Sequence, residues 1–313
     1  MTIVFYVLIF LVLSVVLSKS ADWIMKGVSY FAHSLKIRSF LLSFLFLGII
    51  TSIPEMFVAF QSVANRIPQL SVGNLLGGVI FKLSFLMGIS AILLGRITLT
   101  HGMTLFDIGL SSLVTLAPAV VVWDGRLTQW EGIVLIAIYC IHIASINREQ
   151  HVLSTIEQHA KHVKHGAHAF ILCASGFVGI AIASKYLVVI GVGSATVLGI
   201  SPFVIGLFLI TLGTNLPEIT LATEAILKKK QDIAFGDILG SSVIGTLILG
   251  IVCVMYPFSV PDHERVRMTL IILALVSVFF FWAASTKKDI TRREGIVLFT
   301  VYIAFVLFEM LRV

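Results

Sequence analysis

Thr51-Ser52-Ile53-Pro54-Glu55 lies inside an apolar run of this 313-residue chain, and Thr214-Asn215-Leu216-Pro217-Glu218 lies inside another, 163 residues further on. Eighteen residues after each glutamate a glycine-rich motif begins, Gly73-Asn-Leu-Leu-Gly-Gly78 in the first copy and Gly236-Asp-Ile-Leu-Gly-Ser241 in the second, again at an offset of 163. A carboxylate in an apolar helix is costly, and a proline beside it frees a backbone carbonyl. Finding both twice at a fixed offset points to a duplicated ion-handling site.

The composition agrees with a membrane setting. Hydrophobic residues make up 58% of the chain and charged residues only 12%, far from the make-up of soluble domains. Crossing a hydrocarbon core takes about 20 apolar residues, and ten such runs are legible: 2–31, 39–64, 71–94, 104–122, 130–146, 169–196, 201–227, 233–256, 268–284 and 294–311. The first run continues past Ala21 into Trp23, Ile24 and Met25 without a basic leader, so it reads as a retained helix and not as a signal peptide. Cys140, Cys173 and Cys253 all fall in apolar runs without metal-ligand spacing and read as packing residues.

These runs define an all-α membrane protein of ten transmembrane helices in two five-helix halves, 1–145 and 169–313, joined by a polar linker at 146–168. An odd number of helices per half makes the second half start on the opposite side of the membrane, so the repeats are inverted. Thirteen Lys and Arg residues outside the runs fall on one side, among them Arg96, Lys161, Lys164, Lys228 to Lys230 and Arg292. Five fall on the other: Arg66, Arg126, Arg265, Arg267 and Arg312. The positive-inside rule places the thirteen in the cytoplasm and both termini outside, which suits a multi-pass protein of the plasma (inner) membrane. The net charge of +6 is then a matter of topology and no argument for nucleic-acid binding. The linker carries His151, His159, His162, His165 and His168 among basic residues and reads as a solvated segment; a helical linker would set the last four on one face, as a regulatory metal site needs.

Within each Pro-Glu segment the proline deprives the carbonyl four residues earlier, Ile50 or Gly213, of its helical partner. The freed carbonyls, the carboxylates of Glu55 and Glu218, the hydroxyls of Thr51, Ser52 and Thr214 and the amide of Asn215 form an oxygen-rich set suited to Ca²⁺, Na⁺ or H⁺ and poor for soft metals. A buried kink holding a protonated glutamic acid explains one such segment more easily than two.

The two blocks, Ile49-Ile-Thr-Ser-Ile-Pro-Glu55 with Val72 to Lys82 and Leu212-Gly-Thr-Asn-Leu-Pro-Glu218 with Phe235 to Gly245, resemble the α-repeats of the cation/Ca²⁺ antiporter superfamily, which includes the Na⁺/Ca²⁺ exchangers. The resemblance covers nearly the whole chain. It implies alternating access, with the first and sixth helices sliding across a bundle that holds the ions between the second, third, seventh and eighth. It makes Glu55 and Glu218 the central metal-binding carboxylates, with Thr51, Ser52, Thr214, Asn215 and Ser241 as further ligands, and it implies no cofactor and no enzymatic activity; the partners are inorganic cations and the lipid bilayer.

The departures from the family pattern are informative. Gly78 and Val79 stand where serine and asparagine are expected, and Lys82 and Gly245 replace polar or acidic residues. A charged Lys82 pointing into the site would repel a divalent ion at ~4 Å by roughly 8 kcal/mol at an effective dielectric near ~20, against ~4 for a monovalent one. It therefore reads either as a tethered substitute cation, which suggests proton coupling, or as the mark of a substrate other than Ca²⁺. Asp237, matched by repeat to Asn74, is a secondary candidate for an ion or proton relay, together with Asn74 itself. Two rival functions follow from the same residues: an H⁺-coupled transporter of a non-Ca²⁺, even anionic, substrate anchored by Lys82, and a sensor or assembly protein that has kept the fold without transport. Neither a P-loop nor a nucleotide fingerprint is present, which argues against direct use of ATP.

Overall fold

Helix dominates wherever the chain is apolar, because only an element that satisfies its own backbone is stable in lipid. The computed structural model describes residues 2–34, 48–98, 104–145, 166–227, 231–260, 263–287 and 289–312. In chain order these form α1 (Thr2–Ser34), a helical turn at 48–51, α2 (Ile53–Ala64), α3 (Pro68–Leu94), β1 (Arg96–Thr98), α4 (Leu105–Val121), β2 (Arg126–Leu127) and α5 (Gln129–Ser145). The second half gives α6 (Gly166–Leu198), α7 (Pro202–Thr214), α8 (Leu216–Leu227), α9 (Gln231–Met255), β3 (Phe258–Ser259), α10 (His263–Lys287), β4 (Asp289–Thr291) and α11 (Arg292–Leu311).

The protein is thus an all-α membrane protein. Among the described residues seven helices are long and apolar enough to cross a membrane, or eight if α7 and α8, bent by 45° at their junction, count as one. The two expected spans that fall short are α2, with 12 residues, and α5, with 17. The first loses length to the break at Ser52 and to 35–47, which lie outside the described residues; the second covers the expected run 130–146 and is no longer than it. Most of the polar linker, including His151, His159, His162 and His165, also lies outside the described residues, whereas His168 is exposed on the first turn of α6.

α1 and α6, each 33 residues long, pack along one another more extensively than any other pair of elements. Their outer faces stay apolar and exposed, as at Phe5, Leu8, Phe170 and Ile171, which suits contact with lipid. They pack crosswise onto the other half, α1 on α7 and α8, and α6 on α2. α3 and α9 are the most enclosed of the helices.

Features of the two halves coincide at the 163-residue offset. The helix break falls at Ser52 in one and at Asn215 in the other. α5 and α11 each begin with a capping box, Thr128 with Glu131 and Thr291 with Glu294, in which the hydroxyl caps the backbone N–H three residues on and the carboxylate accepts from the threonine N–H. Each of two antiparallel ribbons takes one strand from either half: β1 pairs with β4 in the register Ile97 to Ile290, and β2 with β3 in the register Leu127 to Phe258. An ion pair between Arg96 and Asp289, 3.2 Å apart, reinforces the first.

Close helix approach is matched as well. A Cβ added to Gly132 on α5 would lie 2.6 Å from the carbonyl oxygen of Gly250 on α9, and one on Gly295 on α11 would lie 2.9 Å from that of Gly88 on α3. Both glycines let backbones touch where lipid offers no hydrophobic drive to hold helices together. Gly132→Leu and Gly295→Leu should each cost about 1–3 kcal/mol through overpacking. Thermal unfolding in detergent should show both losses, with little change for Gly166→Ala, where the nearest atom would lie 3.7 Å away.

Candidate functional site

Each Pro-Glu segment places its glutamate in the first turn of a helix that begins in mid-bundle, Glu55 in α2 and Glu218 in α8. Pro54 and Pro217 occupy an early position where their missing N–H costs nothing, and the helix N-terminus favours negative charge beside it. The turn that opens before each is held by neighbouring backbone bonds: Ser52 N–H donates to Gly48 O and Asn215 N–H to Thr211 O.

Glu55 and Lys82 are both 1% exposed. The Lys82 ammonium donates to both oxygens of Glu55, at 3.1 and 3.3 Å, and to the backbone carbonyl of Ser241 at 3.1 Å. Lys82 therefore pairs inside the bundle instead of reaching for an interface. It sits in a π-helical turn, Phe81–Leu86, that interrupts α3. Such turns carry one extra residue and recur at functional sites; the hydroxyl of Ser84 donates back to the Ile80 carbonyl within it. The amide of Asn215 crosses from the second half to donate to Glu55 Oε1 at 2.9 Å and also donates to the Thr211 carbonyl at 2.9 Å.

Gly78 explains how the carboxylate fits. A Cβ there would lie 2.8 Å from Glu55 Oε1, so the residue that departs from the family pattern clears the place the glutamate occupies. Gly245, the repeat mate of Lys82, would admit a Cβ in ordinary contact with the Val79 side chain, 3.6 Å away.

The Glu218 side is arranged differently. Glu218 is fully buried, lies within range of the charges of Lys82, Glu55 and Asp237, and has no hydrogen-bond partner on either oxygen among the described residues. Asp237, 3% exposed, receives a long bond of 3.5 Å from the Thr51 hydroxyl on one oxygen and none from the described residues on the other. The Ser52 hydroxyl and the carbonyl oxygen of the Asn215 side chain are buried and have no partner among the described residues. Thr214 donates to the Asn74 side-chain oxygen at 3.1 Å, and Thr211 donates to the Asn74 backbone carbonyl at 3.2 Å. Ser241 enters through its backbone carbonyl, while its hydroxyl faces the Ile238 carbonyl at 3.4 Å. Thr51, Ser52, Glu55, Asn74, Lys82, Thr214, Asn215, Glu218, Asp237 and Ser241 are thus all buried in the helices that meet at the two breaks.

Among the described residues no three His, Cys, Asp or Glu side chains converge on a point where they could hold one metal ion. The donor set is hard nonetheless: carboxylate, hydroxyl and amide oxygens with no thiolate or imidazole, as Ca²⁺ and Na⁺ require. Thr211 was not singled out by the sequence; its position one turn before Asn215 was the available signal. Away from the site, Asp107 is spent on a capping box with Thr104 at the start of α4, and Asp22 pairs with Lys26 on α1 at 2.6 Å.

A family model described as "Sodium/calcium exchanger protein" matches residues 5–146 and 168–311 of the chain. The sodium/calcium exchanger MaX1 of Methanosarcina acetivorans is 36% identical over 127 residues, which is 40% of this chain and 36% of that protein. The inner membrane protein YrbG of Escherichia coli is 25% identical over 291 residues, 89% of each. Among solved structures, the sodium-calcium exchanger NCX_Mj soaked with Na⁺ and Sr²⁺ matches with a TM-score of 0.66 at 22% identity, over 97% of this chain and 98% of that one, a likeness of fold.

Removing one partner of a buried ion pair leaves the other charge stranded. Lys82→Met should therefore cost about 3–5 kcal/mol, and adding Glu55→Gln should recover most of that loss. A double-mutant cycle read by thermal unfolding in detergent checks the coupling.

Proposed function

Because the chain belongs to the sodium/calcium exchanger protein family, we propose that it is a secondary-active cation antiporter working by alternating access around Glu55 and Glu218, with Na⁺ or H⁺ as the coupling ion. The family and fold are those of transporters. The observation that carries the reading is Glu218: a fully buried carboxylate with both oxygens unpartnered among the described residues needs a cation or a proton to be stable there. Glu55 has its positive charge built in. Lys82 occupies, on this reading, the space of one cation and holds the first half neutral.

The ammonium has three donors, and two point at Glu55 and one at the Ser241 carbonyl. None is left for an anionic substrate, which favours a cation as cargo over an anion anchored by the lysine. A protein kept only for sensing or assembly gives no reason for unpartnered oxygens in mid-bundle.

We read the architecture as ten membrane helices in two inverted five-helix repeats, in which 48–51 with α2, and α7 with α8, are each one discontinuous span. The paired breaks, capping boxes and ribbons at the 163-residue offset support this, as does the crosswise packing of α1 and α6. The two long helices share an apolar outer face and would slide across the inner bundle, exposing the carboxylates to one side and then the other. On the charge bias of the loops, both termini lie outside.

In proteoliposomes bearing a cation or pH gradient, Glu218→Gln should abolish exchange with little loss of thermal stability, because no side chain among the described residues hydrogen-bonds to it. Glu55→Gln should abolish exchange and lower stability as well. Flux that survives both substitutions would end the reading. Cysteines placed near Arg126 and Arg265 should react with an impermeant thiol reagent added outside intact cells, and those near Lys161 and Lys229 should be spared; the reverse pattern inverts the orientation.

A further inference from the structure

The buried charges of the site do not divide evenly. Glu55 is matched by Lys82 and bonded by Asn215, so it offers a passing ion little more than a dipole. Glu218 and Asp237 are the carboxylates left over, and three of their four oxygens have no donor among the described residues. The Ser52 hydroxyl and the Asn215 side-chain oxygen, at the two helix breaks, are also buried and without partners among the described residues, and the Thr51 hydroxyl reaches Asp237. Asp237 has no counterpart in the first half, where the matching residue is Asn74. Lys82 has none in the second, where Gly245 stands. The two departures from repeat symmetry are thus opposite in sign.

We propose that Asp237 is the compensating third carboxylate of the site: it restores the charge that Lys82 removes, so that cargo carrying two positive charges is held between Glu218 and Asp237, away from Glu55. This rests on the antiporter reading and deepens it. Three carboxylates and one ammonium leave a formal charge of −2, equal to that of two glutamates alone. One Ca²⁺-class ion or two Na⁺ ions satisfy it with the same hard oxygen chemistry. The failure of three acidic groups to converge on one point fits a cation that uses two of them while the third is tied to lysine. Lys82 faces the cargo as half of a neutral pair, which reduces the repulsion an isolated ammonium would exert.

The test compares wild type, Asp237→Asn, Lys82→Asn and the double variant, purified and reconstituted, with binding of Ca²⁺ alone and of Na⁺ alone measured by calorimetry and with flux of the radiolabelled ions. Asp237→Asn should weaken binding of the transported ion by about a hundredfold or more. The double variant should return to within about tenfold of wild type, because removing the lysine removes the need for the aspartate. Which ion responds distinguishes one divalent from two monovalent charges. Wild-type affinity in Asp237→Asn, or a double variant no better than Asp237→Asn, would overturn the proposal. If Lys82→Asn does not fold, the decision passes to stabilisation of the wild-type background by the ion: added Ca²⁺ or Na⁺ should raise the unfolding temperature of wild type and Asp237→Glu but not of Asp237→Asn, and equal stabilisation of all three overturns it. Loss of flux in Glu218→Gln with no effect of Asp237→Asn removes this inference alone, whereas flux intact in Glu55→Gln and Glu218→Gln removes the antiporter reading beneath it.

Discussion

A carboxylate enclosed by apolar helices has to find positive charge or keep its proton, because neither water nor lipid will compensate it there. In this chain that requirement is met for Glu55 by Lys82, with both side chains 1% exposed, and much of the inner bundle is arranged around the pair. Gly78 clears the volume that Glu55 fills, the π turn in α3 carries the lysine, and the backbone of Ser241 and the amide of Asn215 supply the remaining bonds from the second half. A duplicated scaffold has in this way acquired an unsymmetrical interior. One half carries its counter-charge covalently, and the other leaves Glu218 and Asp237 open.

Much of this was legible in the amino acids, for identifiable reasons. Pro54 and Pro217 act locally, by removing a backbone donor, so the breaks at Ser52 and Asn215 follow from the residues alone. The burial of Lys82 could be read from its distance to either end of an apolar run. The fixed offset tied both readings together.

What could not be read depends on contacts between distant segments. That Lys82 chooses Glu55, that Ser241 contributes its carbonyl more than its hydroxyl, and that Asn215 reaches across to the other half are outcomes of packing between α3, α2, α8 and α9. The π turn has no sequence rule comparable to that of proline. The ribbons are two or three residues long, too short for any alternation to register. The ten runs counted from hydrophobicity become seven or eight helices of spanning length among the described residues, because the second run is broken at Ser52 and the fifth gives a helix of only 17 residues.

Those ribbons bear on how the protein is built. Because β1 joins β4 and β2 joins β3, each half alone would present two strands with unsatisfied edges, and Glu55 would lack the Asn215 amide that donates to it and Lys82 the Ser241 carbonyl that accepts from it. Neither half is then a self-sufficient product of synthesis. The two ribbons close only when strands of the second half reach those of the first, the last of them Asp289–Thr291. A chain severed between the halves would be expected to yield fragments that seek each other out, bound by mutual deficiency instead of by a covalent link.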